Sequence, residues 1–442
     1  MSVLEELAER GRRGLRAAGA ATRSTAALHV LDTWGCVVAG SSHPLATQLK
    51  RLVTQTGDTG ELCTPALTGT HALRTTVLME SVLAHVDEYD ALHPAAAVVP
   101  SAVVVPAALA VADHEGLPGR AVTDAVIVGY EVVVEAGLRF GGPSLYGRAW
   151  WPTSVFGALG SAAAVASLLR LDDEETLAAL GMAAAGLGGL LSTDELATGH
   201  YLLAGRAAAD GMEAAYLARA GGRASRTLLD APGAAALGAS AAAPTSVRTP
   251  HLDDCVFKAY PCARPLHAAL EALDVLAGSG VPVRTARRLT ILLPAALLRF
   301  VTADRAPAGP TEAAASAAFA VAAWLHGAAD DVSFFRGSLP EDTPEVVLGD
   351  APDLDRGLPD HWGARVIVDL ADGRRAEQKI TGAGRGTARS APADPVTAKF
   401  RGQTGAGRDD PDWQRWITRC LSLDTVTDVA GLRQALCRLA GR

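Results

Sequence analysis

"TSVFGALGSAAAVASLLRLDDEETLAALGMAAAG", residues 153–186, runs from an uncharged, small-residue body through an acidic turn into a second small-residue body. It reads as two consecutive helices, parted by Asp172-Asp173 and Thr176. Ala and Leu have the best helix propensities, and small side chains let helices approach closely. The same plan recurs upstream. "RSTAALHVLDTWGCVVAGS" (23–41) offers a Ser/Thr cap signal and closes on Gly. "LPGRAVTDAVIVGYEVVVEAGLRFGG" (117–142) gives a turn, a cap at Thr123, an apolar body and a Gly stop. From about residue 24 to 220 the pattern predicts helix almost throughout, with no fixed-period repeat.

Beyond residue 285 the character changes. "ARRLTILLP" (286–294) and "ARVIVDLADGRRAEQKI" (364–380) read as strands, the latter a hairpin across Asp372-Gly373. "TEAAASAAFAVAAWLHG" (311–327) reads as one helix between them. The expectation is a mainly α chain with a smaller α+β domain. The large helical domain spans 1–255, the smaller one 256–393, and a helical segment, 394–442, returns to the large domain. Residues 231–247 read as an exposed connection.

At 442 residues with 49% hydrophobic content, two globular domains are the natural expectation. A net charge of −8 without a basic face argues against a nucleic-acid binder. The six cysteines form no C-x-x-C pair or Cys/His ligand cluster, and the N-terminus lacks an apolar signal core. Both predict reduced thiols and a cytoplasmic protein. The uncharged runs 95–112 and 176–193 are near the lower limit for a membrane span, but Pro100, Pro106 and many Gly and Ala fit buried helices better.

"HVDEYDALHPAAAVVP" (85–100) places two histidines and three carboxylates within nine residues. In a turn, Glu88 and Asp90 can converge beside a histidine for acid–base work; the alternative is a solvated turn capping a buried helix. "KAYPCARPLH" (258–267) offers Lys258 or Arg264 to a substrate carboxylate, or is a Pro-rigidified turn with its basic groups in solvent. "TGHYLLAGRAAADG" (198–211) adds His200 and Tyr201, where a lone histidine serves equally as a cap. "TGAGRGTARSAP" (381–392) follows a strand, but no helix is expected after it, so a phosphate cradle is not predicted. Metal-ligand spacings, a P-loop and a nucleophile elbow are all missing from the sequence.

Four segments together resemble the MmgE/PrpD family: "LDTWGCVVAGS" (31–41), "AHVDEYDALHP" with "VPSAVVVPAALAVAD" (84–113), "WWPTSVFGALGSAAA" (150–164) and "FKAYPCARPLHAALEAL" (257–273). Weaker echoes lie at 316–327 and 394–400. The family includes 2-methylcitrate dehydratase, cis-aconitate decarboxylase and iminodisuccinate epimerase. The resemblance implies a large helical domain with an α/β lid, a homodimer, no cofactor or metal, and proton abstraction next to a carboxylate. Where relatives read D-F-D-D-T-H, this chain has Glu88, Tyr89, Asp90, Ala91, Leu92 and His93. Histidines usual in relatives fall on Val99, Trp151 and the vicinity of Ala263; a lysine falls on His200 and a lid tyrosine on Phe319, while Lys258 remains.

The catalytic set expected from this is Asp90, His93, Lys258, Glu88 and His200. The expected substrate-binding set is Tyr89, Val99, Trp151, Thr153, Ser154, Tyr201, Tyr260, Cys262, Ala263, Arg264 and Phe319. Replacing imidazoles by apolar groups makes a tricarboxylate costly to desolvate. The reading is therefore a cofactor-independent lyase or isomerase on an altered small organic acid, a secondary metabolite being one such substrate. A shape-driven cyclase with an apolar cavity and a non-catalytic binding or scaffold protein are the alternatives. The partner expected is a small molecule, with no nucleic acid and no membrane.

Overall fold

The computed structural model describes residues 1–191, 198–245, 249–382 and 393–441. The chain opens with α1 (Val3–Ala17), α2 (Ala20–Gly40) and α3 (Pro44–Thr56), then a small antiparallel hairpin, β1 (Leu62–Thr64) and β2 (Leu67–His71). There follow α4 (Leu73–His85), α5 (Pro100–His114), α6 (Gly119–Arg139), α7 (Pro152–Leu168), α8 (Asp173–Ala185), α9 (Thr198–Arg219) and the short α10 (Ala231–Ala236). After α11 (His267–Gly278) come β3 (Ala286–Leu293), α12 (Pro310–Ala315), α13 (Ala317–Leu325), β4 (Glu345–Asp350), β5 (Ala364–Leu370) and β6 (Arg375–Ile380). Three helices close the described chain: α14 (Ala393–Thr404), α15 (Pro411–Leu421) and α16 (Val429–Ala440). A mainly α fold with a smaller α+β part is what the sequence predicts. None of the described helices is long and apolar enough to cross a membrane.

The two helices of 153–186 are α7 and α8. Their separator is Asp172, whose side chain accepts from the Glu175 N–H while Glu175 reaches back to Asp172 N–H, a capping box. Thr176 lies inside α8. Every residue of α7 except Ser167 is buried, which suits a helix apolar all round. It packs between α5, α6 and α9 because small residues let backbones meet. A Cβ on Gly211 of α9 would stand 2.2 Å from the Ala158 carbonyl of α7. One on Gly129 of α6 would stand 2.8 Å from the Gly160 carbonyl.

Several local expectations fail for physical reasons. Helix α2 begins at Ala20, and the Ser24 and Thr25 hydroxyls bond back to the Ala20 and Ala21 carbonyls at 3.1 and 3.2 Å instead of capping. Thr123 likewise lies inside α6, donating to the Arg120 carbonyl. The β1–β2 hairpin interrupts the predicted helical run. The helix over 311–327 is broken at Ser316, which adopts extended backbone, bridges to Thr302 and caps α13 through Phe319 N–H. Residues 231–236 of the expected connection form α10. The glycine-rich stretch 381–392 lies almost wholly outside the described residues; α14 begins directly after it, which corrects the reading that no helix follows the stretch and agrees with the helical segment expected over 394–442.

The smaller sheet has the order β4-β3-β5-β6, with β3–β4 parallel and the other pairs antiparallel. Leu289, Ile291 and Leu293 of β3, with Val366 and Val368 of β5, share an apolar core with Leu270 and Leu273 of α11 and Val321 of α13. The opposite face carries pairs such as Arg288–Glu345. The strand β4, unpredicted, completes the edge beside β3. The final helices return to α2, where Trp416 meets Trp34 and stacks on Phe400 with ring centroids 5.3 Å apart.

One buried ion pair fastens that return. Lys399 Nζ lies 2.6 Å from the Asp32 carboxylate, donates to the Tyr89 carbonyl at 2.5 Å and sits 4.0 Å over the Tyr89 ring. Removing one partner would strand a charge in the core. Lys399→Met is expected to cost about 3–5 kcal/mol in urea unfolding. Adding Asp32→Asn should recover part of that loss, giving less than the sum of the single changes; strict additivity would contradict the pairing.

Candidate active site

Helix α4 ends at His85, α5 begins at Pro100, and the intervening loop is held from three sides. Leu92 N–H donates to the Val256 carbonyl at 3.0 Å and Val256 N–H returns a bond at 2.8 Å, clipping the loop to the strand-like run before Lys258. From behind, Lys399 grips the Tyr89 carbonyl. From the smaller domain, Arg336 donates to Asp87 at 2.6 Å and to the Ala39 carbonyl at 2.9 Å. Glu88 adopts a left-handed conformation, φ 51°, unusual for a residue with a Cβ. That costs about 1–2 kcal/mol and is retained because the clips leave no alternative.

The result is a short chain of charge. His85 donates through Nδ1 to the Asp90 carboxylate at 3.0 Å, and its Nε2 lies 3.4 Å from Glu88 Oε1. Lys258 Nζ donates to Glu88 Oε2 at 2.9 Å and to the Glu88 carbonyl at 2.6 Å. The Trp151 ring stacks on His85 with centroids 5.2 Å apart, and His200 lies 4.3 Å from Trp151. His85, Glu88, Lys258, Trp151 and His200 line a cavity of about 480 Å³ whose remaining wall includes Arg264, Phe300, Glu312 and Trp362.

Burial opposes charge on Glu88, but Lys258, then His85 and His200, hold its carboxyl down at about 2. Burial also opposes charge on His85, yet Asp90 and Glu88 raise it above the ordinary imidazole value. Lys258 is raised by Glu88 and Asp90 despite its burial. His200 is pushed down to about 3, first by burial and then by His85, so its ring is neutral. Arg264 is pushed down to about 10 by burial, with Glu271 opposing. Its Nε and Nη1 have no hydrogen-bond partner among the described residues. The resting site therefore holds a proton on His85, a fixed Glu88–Lys258 pair and a buried guanidinium with free donors.

Of the residues expected from sequence, Glu88, Lys258, His200, Val99, Trp151, Ala263 and Arg264 line the cavity. Asp90 lies one layer behind, against His85, and Tyr201 is buried beside the rings of His85 and His200. Thr153 accepts from Val99 N–H and Ser154 donates to the Gly188 carbonyl, so both serve the wall's backbone. Tyr89, Tyr260, Cys262 and Phe319 are buried and do not line the cavity. Nor does His93: its Nδ1 accepts from Ala96 N–H at 3.1 Å and its ring faces His251.

His85, the first residue of the 85–100 motif, is absent from the expected catalytic and substrate-binding sets. The signal was available, since a histidine ending a helix five residues before an aspartate can fold back onto it. Tyr146, Arg299, Phe300, Glu312 and Trp362 also line the cavity. Apart from the adjacent Arg299 and Phe300 they come from separate stretches of the chain, and they carry no local signature.

Among the described residues two clusters have ligand-type atoms within 4.8 Å of one another: His85, Glu88 and His200; and His93, His251 and Asp254. In the first, the Lys258 ammonium already occupies Glu88, which disfavours a second cation there. In the second, the backbone bond to His93 Nδ1 leaves the proton of the neutral ring on Nε2, making it a donor. Neither donor set suits a metal ion.

With this geometry in hand, the comparisons place the chain. The MmgE/PrpD N-terminal domain pattern matches residues 13–247, just over half of the chain, and the protein belongs to the MmgE/PrpD family. It is similar to the cis-aconitate decarboxylase-like protein oryM of Aspergillus oryzae, 24% identical over 91% of this chain and 90% of that protein.

The Glu88 pair has a signed consequence. Its carboxyl titrates near 4.5 unfolded and near 2 folded, so its contribution to stability is complete above about pH 4.5 and is lost as pH falls toward 2. Glu88→Gln should flatten the stability decline across that window in urea melts. An unchanged slope would separate Glu88 from acid unfolding.

Proposed function

We propose that the chain is a lyase acting on an organic acid, in which His85 delivers a proton to carbon next to a carboxylate. The observation that carries this reading is Arg264, which lines the same cavity as the His85, Glu88 and Lys258 side chains and whose buried Nε and Nη1 have no hydrogen-bond partner among the described residues. A guanidinium so placed gains most from a bidentate carboxylate, which restores the hydrogen bonds lost on burial. The family, and the decarboxylase-like name of its relative, agree with an acid as substrate.

Decarboxylation fits the resting protonation states best. When the carbon–carbon bond to a carboxylate breaks, carbon dioxide leaves and the electron pair stays on the substrate as a carbanion or enolate. That species needs an acid. His85 lines the cavity and holds a proton on Nε2, 3.4 Å from Glu88 Oε1, while Asp90 fixes the ring through Nδ1. Lys258 supplies positive charge beside the developing anion, and Trp151 covers the imidazole from water. A dehydration would instead begin with a base; Glu88 at about 2 and His200 at about 3 are weak ones.

The test is a panel of unsaturated and hydroxylated di- and tricarboxylic acids, cis-aconitate included, incubated in D2O and followed by proton NMR. Carbon dioxide release with one deuterium gained at carbon is the expected result, reduced about 10²–10⁴-fold by His85→Gln. The proton donor is active below its own pKa, so the rate should fall as pH rises through a value above 6.5. Asp90→Asn removes the neighbouring charge and should move that alkaline limb down by about 1–3 pH units. A flat pH profile, with rate lost on Trp151→Ala, would favour a shape-driven cyclase.

A further inference from the structure

We infer that the substrate carries an extended hydrocarbon arm, seated against the aromatic wall of the main cavity and running into a second cavity beside it. The inference rests on the carboxylate-binding reading of Arg264 and adds the chemistry of the rest of the molecule.

Two observations carry it. A second cavity of about 220 Å³ shares Tyr146, Arg299, Phe300 and Trp362 with the first, and its remaining wall includes Pro143, Leu297 and Leu358. The polar tips of the shared aromatics are already engaged: Trp362 Nε1 donates to the Pro359 carbonyl at 3.0 Å and Tyr146 Oη to the Ala97 carbonyl at 3.4 Å. Tyr146 and Phe300 meet edge to face with centroids 4.6 Å apart, forming the apolar partition between the cavities. A ligand passing this partition meets mainly ring faces and aliphatic carbon, which reward apolar surface, with Ser144 and Arg299 the other polar side chains of the second lining.

The charges point the same way. Arg264 and Arg299 line the main cavity together with Asp304 and Glu312, while Lys258 is already paired with Glu88. A compact tricarboxylate would bring three negative charges into a lining whose cations are matched by resident carboxylates. One carboxyl-bearing head at Arg264, with a neutral arm, avoids that cost. A volume of about 480 Å³ also falls in the range of roughly 300–1,000 Å³ that encloses ligands of drug size.

Saturated, unreactive probes test this: methylsuccinate, n-butylsuccinate and n-octylsuccinate, titrated calorimetrically into the full-length protein. Affinity is expected to rise about fourfold per added methylene while the arm is being buried. Ala296→Trp, which fills the second cavity, should erase the gain of octyl over butyl. An octyl probe no tighter than methylsuccinate overturns the inference, as does a chain-length gain that survives Ala296→Trp. Arg264→Gln separates the two readings: it should weaken every probe by a similar factor and leave the chain-length dependence in place. Methylsuccinate binding that is lost in Arg264→Gln, with no chain-length gain in the unmodified protein, would keep the head-group reading and remove the arm. Failure of all three probes to bind would remove both.

Discussion

The loop between α4 and α5 can hold its shape only because charged groups grip it from outside. Lys399 does so from the C-terminal helices, through the Tyr89 carbonyl and the buried Asp32 carboxylate. Lys258 does so from the segment leading into the smaller domain, through both the carbonyl and the carboxylate of Glu88. Arg336 adds a grip on Asp87 from the smaller domain itself. A left-handed glutamate and a buried histidine–aspartate pair are costly arrangements, and a free loop would relax out of them. Three of the chain's parts, far apart in sequence, thus converge on one short stretch. The positions of His85 and Asp90 follow from that convergence.

The helical frame makes the convergence possible by being stiff and closely packed. Helix α7 carries almost nothing larger than Leu or Phe and is enclosed by its neighbours, so Trp151 just before its start is held in place in the cavity wall. Where backbones nearly touch, as at Gly211 against Ala158, added side-chain atoms would push the helices apart. Buried ionic links fasten the periphery to the same frame: Arg433 of α16 reaches Glu80 of α4 and Asp113 of α5, and Arg10 of α1 reaches Glu131 of α6 at 2.6 Å. Such pairs contribute little beyond a good apolar contact, but they are sensitive to losing either partner.

The fold was largely legible in the sequence because its signals are local. Small-residue bodies bounded by Asp172-Asp173 or by Gly141-Gly142 declare helices, and Asp372-Gly373 between alternating residues declares a hairpin. What escaped was decided by tertiary contacts. Ser24 looks like a cap but bonds backward within a longer helix, and Ser316 breaks a helix because Thr302 offers a bridge. The site was legible in part. Glu88, Lys258 and Arg264 sit in motifs dense in chemistry, whereas Phe300, Glu312 and Trp362 become neighbours only when the smaller domain folds over the larger. His93 attracted attention by composition, but a single backbone N–H turns its ring away.

The apolar residues around the cavity have a common electrostatic effect. Trp151 lies flat against His85, and Val99 presents only aliphatic carbon to the cavity while its N–H is taken by Thr153. Each removes water and a potential hydrogen-bond partner from the imidazole's surroundings, so the charge on His85 depends all the more on Asp90 and Glu88. Low effective dielectric strengthens those two interactions and weakens none that remain. A site with more imidazoles would distribute protons among several groups of similar affinity. Here neutral His200 and charged His85 stand 5.6 Å apart with clearly different proton affinities, separated by which of them faces the carboxylates. The result is one proton held at one defined atom.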